Sequence, residues 1–338
     1  MKNITKLVSI VGVWIVLGFG TASAQDPLFS QFYASPMYQN PAFAGTATVP
    51  RIINNFRNQF TNAQGRFITY SLSADLFVER FNSGIAITMN TDKQGTGGYK
   101  STDAGLTYAY QLELKKNKFF RLGASASYYR RDVNYSNFLF NDEISSGRPS
   151  AEVLPNLQTG FFDLGLGGMY YERNFWLGVS AKHINQPDQS LLQDGTDKLP
   201  TRLTVHGGYK IFLQDNCFDD ESNAIAILAN YNSQFNFKKL EFGGYVFFNR
   251  WLSGVFYQGN FTGNSKERGD AFSLMAGYKL KGITLAYSYD FAFNNPNRFP
   301  RLGNSHELSL AYLIPIKADK NNVYRKMKSK RFTPWPTF

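Results

Sequence analysis

The stretch KGITLAYSYD, Lys281 to Asp290, sets Ile283, Leu285, Tyr287 and Tyr289 at every second position, with Thr284, Ala286, Ser288 and Asp290 between them. A helix would scatter these four apolar side chains around its axis, whereas a strand sends alternate residues to opposite faces and gathers them on one side. The division recurs in Gly84 to Asn90, where Ile85, Ile87 and Met89 alternate with Ala86 and Thr88. It recurs again in Arg121 to Tyr129, Ala271 to Lys279 and Glu307 to Tyr312. Working outward from this pattern, fourteen such segments are expected, near 52–60, 66–77, 83–90, 102–112, 118–129, 161–171, 174–184, 200–213, 222–232, 237–248, 250–260, 269–279, 281–291 and 304–315. The number is even, as closure of a single-chain bacterial barrel requires.

Composition agrees with strands that face lipid on one side. Aromatics make up 16% of the 338 residues, with 31 Phe and 20 Tyr. After residue 24 no apolar run approaches the roughly 18–20 residues of a spanning helix. The first 24 residues read as a secretory signal: Lys2 and Lys6 form a basic start, Leu7 to Gly20 an apolar stretch, and Ala22-Ser23-Ala24 a small-residue cleavage site. The single cysteine, Cys217, leaves no disulfide to form within an exported chain. No linker divides the remainder, so the expected organisation is a signal peptide (1–24), an N-terminal segment (25–50), one barrel domain (51–316) and a tail (317–338).

The connections give an independent reading. Even-numbered ones are mostly short: Val78 to Asn82, Glu113 to Asn117, Glu172-Arg173, and single residues at Asn249 and Leu280, whose turns must borrow from the strand ends. Odd-numbered ones include Thr91 to Ser101, Arg130 to Gly160, Asn185 to Leu199, Thr262 to Arg268 and Ala292 to Gly303. Gln214 to Glu221 and Ser233 to Asn236 break the sorting. A soluble β-sandwich has no reason to sort its loops by parity, whereas an outer-membrane barrel has short periplasmic turns and longer outer loops. The expected fold is therefore an all-β, transmembrane outer-membrane barrel of about 14 antiparallel strands, with both chain ends in the periplasm.

The segment QDPLFSQFYASPMYQNPAFAG, Gln25 to Gly45, fits neither a long helix nor an interior strand, because Pro27, Pro36, Pro41 and the following Pro50 each remove a backbone donor and fix φ. Phe29, Phe32, Tyr33, Tyr38 and Phe43 nonetheless demand burial. A fourteen-strand ring encloses more space than its own side chains fill. The segment is thus expected to act as a plug in the lumen or across its periplasmic mouth, with Phe29, Phe32, Tyr33, Pro36, Asn40 and Pro41 as plug or docking residues. Space filling and a gating or docking role are both consistent with these residues.

Gln25-Asp26-Pro27 with Phe29-Ser30-Gln31, then Pro36 and Asn40-Pro41-Ala42 with Ala44-Gly45, resembles the N-terminal signature of the PorP/SprF family of outer-membrane proteins. Ser305-His306-Glu307-Leu308-Ser309-Leu310 resembles that family's last-strand motif. The resemblance implies a component of the type IX secretion system of Bacteroidetes, taking part in export of surface proteins and, in gliding species, of a motility adhesin. Its implied partners are the outer-membrane bilayer, the secretion machinery on the periplasmic side and a secreted surface protein or adhesin cargo. Neither enzymatic activity nor a cofactor is expected. A solute-conducting porin or transporter is the alternative that barrel physics leaves open.

Other chemistry is weaker. Ser305 and His306 are adjacent, so on a strand they face opposite ways and cannot form a catalytic pair. His183 and His206 have no Cys or His partner at metal-ligand spacing. The Asp188 to Asp197 run lacks the ligand spacing of calcium loops. Gly95 to Ser101 joins two expected strands and carries Tyr99 where a phosphate loop has glycine.

Charge is concentrated at one end. Formal net charge is +11, and Lys317 to Phe338, with seven Lys or Arg against one Asp, contributes +6. In the periplasm this argues against nucleic acid. Arg325, Lys326, Lys328, Lys330 and Arg331 would steer encounter with an acidic periplasmic partner, while Trp335 and Phe338 would anchor in an apolar pocket; loose attraction to anionic lipid or cell wall is the competing reading. In the long outer loop, Tyr135, Phe138 and Phe140 are candidate contacts for cargo, or else pack into the barrel mouth.

Overall fold

Alternation carried through fourteen strands gives a ring, because each strand can bury one face inward only if both its edges are paired. A computed structural model describes residues 26–47, 49–61, 65–95, 98–134, 141–147, 157–192, 195–213, 223–260, 270–292 and 304–315. Its strands are β1 (Arg51–Gln59), β2 (Phe67–Val78), β3 (Ser83–Gln94), β4 (Tyr99–Lys115), β5 (Lys118–Val133), β6 (Gln158–Glu172) and β7 (Phe175–Lys182). They continue with β8 (Arg202–Phe212), β9 (Ala224–Gln234), β10 (Phe237–Phe248), β11 (Trp251–Asn260), β12 (Ala271–Leu280), β13 (Ile283–Ala292) and β14 (Ser305–Leu313). Each pairs antiparallel with its sequence neighbours, and β1 closes on β14 from Arg51 opposite Leu313 to Asn58 opposite His306. The expected fold class is the observed one: a closed fourteen-strand antiparallel barrel.

The outer face is apolar and exposed, with Leu72, Ile87, Leu106, Leu166, Val179, Leu203 and Ile227 all standing clear of other protein. The inner face is polar and buried, with Asn55, Ser71, Asp103, Arg121, Asn230, Glu241 and Glu307 among its residues. This is the inversion expected when lipid, not water, is outside. No helix of the described residues is long and apolar enough to cross a membrane.

Tight turns form where the sequence supplies residues that tolerate the left-handed region. Asn82, Asn117 and Asn249 have φ of 47°, 63° and 56°, and Lys281-Gly282 has 45° and 84°. Between β7 and β8, His183 turns the chain out of the sheet with φ 58°, ending the strand sooner than alternation suggested.

The expected long connection from Thr91 to Ser101 is corrected. β3 continues to Gln94 and β4 starts at Tyr99, leaving four residues, 95–98. Polar residues lie on both faces there, so no hydrophobic alternation marks a strand. The ladder is held by inward pairs instead: Asn90 Nδ2 donates to Asp103 at 2.8 Å, and Thr69 Oγ1 to Asp92 at 2.6 Å. β4, β5 and β6 reach 17, 16 and 15 residues, longer than the ~9–11 that span a bilayer.

Candidate functional site

Residues 26–47 fold as three short turns separated by prolines. A 3-10 turn at Phe32–Ala34 leads into α1 (Pro36–Gln39) and a second 3-10 turn at Pro41–Phe43. Pro36 and Pro41 occupy first-turn positions, where a missing N–H costs nothing. Asn40 caps the second turn, its Oδ1 accepting the Ala42 N–H at 2.9 Å. The same carboxamide's Nδ2 lies 3.1 Å from the carbonyls of Gly168 on β6 and Val179 on β7, and 3.0 Å from His206 Nε2 on β8.

The remaining contacts run around the ring. Tyr33 stacks on Phe256 of β11 with centroids 5.2 Å apart and approaches Met275 of β12 and Tyr245 of β10. Phe32 meets Phe256 edge-on. Arg121 of β5 donates to the Ala42 carbonyl at 2.8 Å and to the Ala44 carbonyl. A segment that touches opposite walls of a closed ring lies inside it.

Three clusters fix it there. In the first, the Ser30 and Gln31 N–H groups donate to the two carboxylate oxygens of Glu307 at 2.7 and 3.0 Å. Arg57 bridges Glu307 at 3.1 Å and Asp290 at 3.0 Å, and the Ser30 hydroxyl sits between Arg57 and Asp290. Phe29-Ser30-Gln31 and Ser305-His306-Glu307, which carry the family resemblance at the two ends of the chain, thus meet in one hydrogen-bonded unit.

The second cluster lies at the end of the barrel where β7 runs into its loop. His183 is buried between two carboxylates, with Nδ1 2.8 Å from Asp163 Oδ1 and Nε2 2.6 Å from Asp26 Oδ2. Carboxylates only accept, so both ring nitrogens must donate and the imidazole is charged. Burial opposes that charge, but Asp26 and Asp163 hold the His183 pKa above its ordinary value. Burial likewise opposes ionised Asp26, yet His183, Arg202 and Lys182 hold its carboxyl far below the usual range. Arg202 Nη1 lies 3.2 Å from Asp26, while Arg202 and Lys182 both stand over the Tyr38 ring.

The third cluster closes the opposite end, where the chain enters β1. Arg51 grips Asp75 through Nε and Nη2 at 2.9 and 3.0 Å, and Gly45 N–H donates to the same carboxylate at 2.8 Å. Backbone meets backbone here: a Cβ on Gly84 would lie 1.8 Å from the Ala44 carbonyl oxygen. Only glycine fits that position.

Between the clusters the segment does not touch the wall everywhere. Facing β2 to β5, two small adjoining cavities share Tyr38, Asn90 and Asp103. Ser71, Ser73, Thr88, Thr107, Ser125 and Ser127 line the deeper one, together with Lys182, and each cavity has room for about one water.

The structure places all six expected plug or docking residues, Phe29, Phe32, Tyr33, Pro36, Asn40 and Pro41, in this buried segment. Tyr135, Phe138, Phe140, Cys217, the leader 1–24 and the whole tail, with Arg325, Lys326, Lys328, Lys330, Arg331, Trp335 and Phe338, lie outside the described residues. Ser305 faces the lumen while His306 faces outward, its Nδ1 2.6 Å from the Tyr287 hydroxyl. Asp188 spends one carboxylate oxygen on the Ser190 and Asp197 N–H groups, which hold its pKa down. Reading the sequence for metal spacing left His183 and His206 without partners. Their actual partners, Asp26, Asp163 and Asn40, lie 20 to 166 residues away. The signal that was there is a charged residue at an inward strand position, as at Arg57, Arg121, Asp163, Asp290 and Glu307.

Comparison with protein families supplies the identity that geometry lacks. A family model described as type IX secretion system membrane protein PorP/SprF matches residues 21–312. The chain belongs to this family. As a PorP/SprF member it is a membrane β-barrel of the type IX secretion system. No curated protein matches the chain. Among solved structures, it is similar to the outer membrane protein Omp33 of Acinetobacter baumannii, at 10% identity over 79% of this chain and 98% of that one, with a TM-score of 0.45. It is also similar to a Pseudomonas aeruginosa FadL homologue (13% identity, 83% and 94% covered, TM-score 0.45) and to the P. putida toluene transporter TodX (10%, 82% and 93%, 0.47). At such identities nothing of those proteins' ligands transfers to this PorP/SprF barrel.

Proposed function

We propose that this PorP/SprF barrel is a lumen-closed, non-enzymatic outer-membrane component that assists export or surface retention of a cargo protein such as a gliding-motility adhesin. The observation that carries the reading is the seating of residues 26–47, with Arg57 buried between Asp290 and Glu307 to hold Ser30 and Gln31. An open diffusion pore gains nothing from occupying its own lumen with such a network. In this reading residues 25–50 are the plug. The short-turn end of the barrel, where β14 finishes, faces the periplasm. Residues 317–338 leave from that end as a handle for the secretion machinery, through Arg325 to Arg331 and Trp335 and Phe338. Tyr135, Phe138 and Phe140, outside the described residues, are the cargo contacts in this reading.

Truncation after Pro315 tests the assignment. The expected result is a normally assembled, heat-modifiable barrel that no longer co-purifies with its periplasmic partner and no longer supports export. Export and co-purification unchanged from the full chain would overturn the handle. The solute-conducting alternative rests on the two small polar cavities along β2 to β5, and solute uptake lost with export unaffected would favour it.

A further inference from the structure

The strands that outrun the bilayer differ from the rest of the ring on their outward face. On β4 every outward position from Ala104 to Leu114 is apolar, a length that matches the ~9–11 residues of a spanning strand. The strand continues past Ala104 through Thr102 to Lys100, which therefore lie at headgroup depth. Strand pairing carries the boundary sideways: Leu72, Met89, Ala104, Tyr128 and Phe162 stand side by side on β2 to β6, with the Tyr128 and Phe162 rings edge-on at 5.1 Å. Aromatic side chains at the edge of an apolar band mark the membrane interface.

Beyond this boundary four cations lie on the outer surface. Thr91, Thr102 and Arg130 form the next row and Lys93, Lys100 and Asp132 the row after it, with Arg66 exposed just before β2. Lys93 and Lys100 are directly opposite one another across β3 and β4, a pairing that like charges make unfavourable. Arg130 donates to the Gln158 carboxamide at 3.1 Å. Among the described residues none of the four forms an ion pair, although Asp132 stands opposite Lys100. Near the same ends of other strands the outward residues include Leu203, Tyr231, Tyr257, Phe272, Tyr289 and Phe56, and Lys238 is the one outward Lys or Arg on those strand ends among the described residues.

We infer that the outward face at these ends of β2 to β5 binds the phosphate groups of an outer-leaflet glycolipid, with Arg66, Lys93, Lys100 and Arg130 contacting phosphate. The inference rests on the orientation proposed above, with the short-turn end in the periplasm. Charge and depth together choose the occupant. Four cations against the one carboxylate of Asp132 leave the face basic. A phosphate held at headgroup level relieves the repulsion between Lys93 and Lys100 and gives the guanidiniums an anionic acceptor, while acyl chains of the same molecule lie along the apolar band beside it. A soluble anion would gain only the first of these contacts.

Native mass spectrometry of the full chain in detergent, with diphosphoryl lipid A as the probe, tests the site. Dephosphorylated lipid A should bind at least about tenfold more weakly. Arg66→Gln, Lys93→Gln, Lys100→Gln and Arg130→Gln together should lower affinity for diphosphoryl lipid A at least about tenfold, whereas Lys238→Gln should leave it unchanged. Should the fourfold variant fail to assemble, Lys93→Gln decides: affinity should fall roughly fivefold, while the lipid-free barrel unfolds at the same or a higher temperature because one of two opposed charges is gone. Equal binding of the two lipids, or variants binding as tightly as their parent, would overturn the proposal. So would displacement of lipid A by inorganic phosphate at equal concentration, which would make the face a site for free anions. Orientation is checked separately with Thr196→Cys, exposed in the β7–β8 connection at the same end, in a Cys217→Ser background. Labelling by a membrane-impermeant maleimide only after the cells are permeabilised would overturn the orientation and the proposal with it. Labelling on intact cells together with equal binding of the two lipids would overturn the proposal alone.

Discussion

The two sides of the lumen hold the same segment in different ways. Along β10 to β14 and β1 the wall side chains are long: Tyr245, Phe256, Met275, Asp290, Glu307 and Arg57 reach the segment. Along β2 to β5 they are short, with Ser71, Ser73, Thr88, Thr107, Ser125 and Ser127 stopping short of it, and a seam of two small polar cavities results. Both inner faces are polar and both belong to regular strands, so the difference is one of side-chain reach. It teaches that long side chains hold the segment along β10 to β14 and β1, whereas along β2 to β5 the grip is confined to Arg121, Asp75 and the close backbone approach at Gly84. Any passage that opens while the segment stays seated would open along β2 to β5, above the point where Arg121, Gly84 and Asp75 close the seam.

The coarsest way to break this comparison is to remove the segment. A barrel lacking residues 26–47 should conduct in planar bilayers at least about tenfold more than the intact chain, because a fourteen-strand ring without filling leaves a wide lumen. Intact protein conducting like an open porin would refute closure.

Single residues sharpen it. Arg57→Leu leaves Asp290 and Glu307 buried without their cation and should cost about 3–5 kcal/mol in urea unfolding from lipid vesicles. Ser73→Ala on the other wall should cost about 0.5 kcal/mol or less, because the Ser73 hydroxyl has no hydrogen-bond partner among the described residues. Equal losses would mean that the two walls do not differ. Gly84→Ala should fall between them, at about 1–3 kcal/mol, since the Ala44 carbonyl must move away from the new methyl. Faster proteolysis within residues 40–50 would report the displacement.

The smallest effect expected is on pH. His183 has a raised pKa in the folded state, so its contribution is fully present below its unfolded value near 6.5 and fades as pH rises through the folded value. Asp26, depressed, contributes above its unfolded value near 3.8. Between these limits the Asp26 end is held most firmly. Protection of the amides of residues 28–31, taken relative to intrinsic exchange at each pH, should therefore fall on going from pH 6 to alkaline pH, and His183→Asn should remove that fall. Protection unchanged across the range would show that the latch does not titrate.

Much of the fold was legible because hydrophobic alternation is a local signal. It located all fourteen strands within a few residues and missed only the outer ends of β3 to β6, where both faces are polar and alternation carries no contrast. The need to bury Phe29, Phe32, Tyr33 and Phe43 despite their prolines was legible too. The clusters that hold them were not. Glu307 and Asp26 look like ordinary charges in sequence, and their partners Ser30 and His183 are 277 and 157 residues away. Only a closed ring brings such distances to hydrogen-bonding range, and register then decides which charges meet.

The bond between Ser30 and Glu307 also orders events in time. A chain made and exported from its N-terminus presents Phe29-Ser30-Gln31 among its first residues and Glu307 with its last strand. Until β14 arrives, β1 has an unpaired edge and the first segment has no carboxylate to receive its N–H groups. Closing so long a loop is entropically slow and gives nothing back until it is complete. Ring closure and seating of the segment should then occur as a single late step. An assembly intermediate halted before β14 would expose the unpaired edge of β1 and the unburied aromatics together, a two-part mark by which quality-control proteases could distinguish unfinished barrels from finished ones.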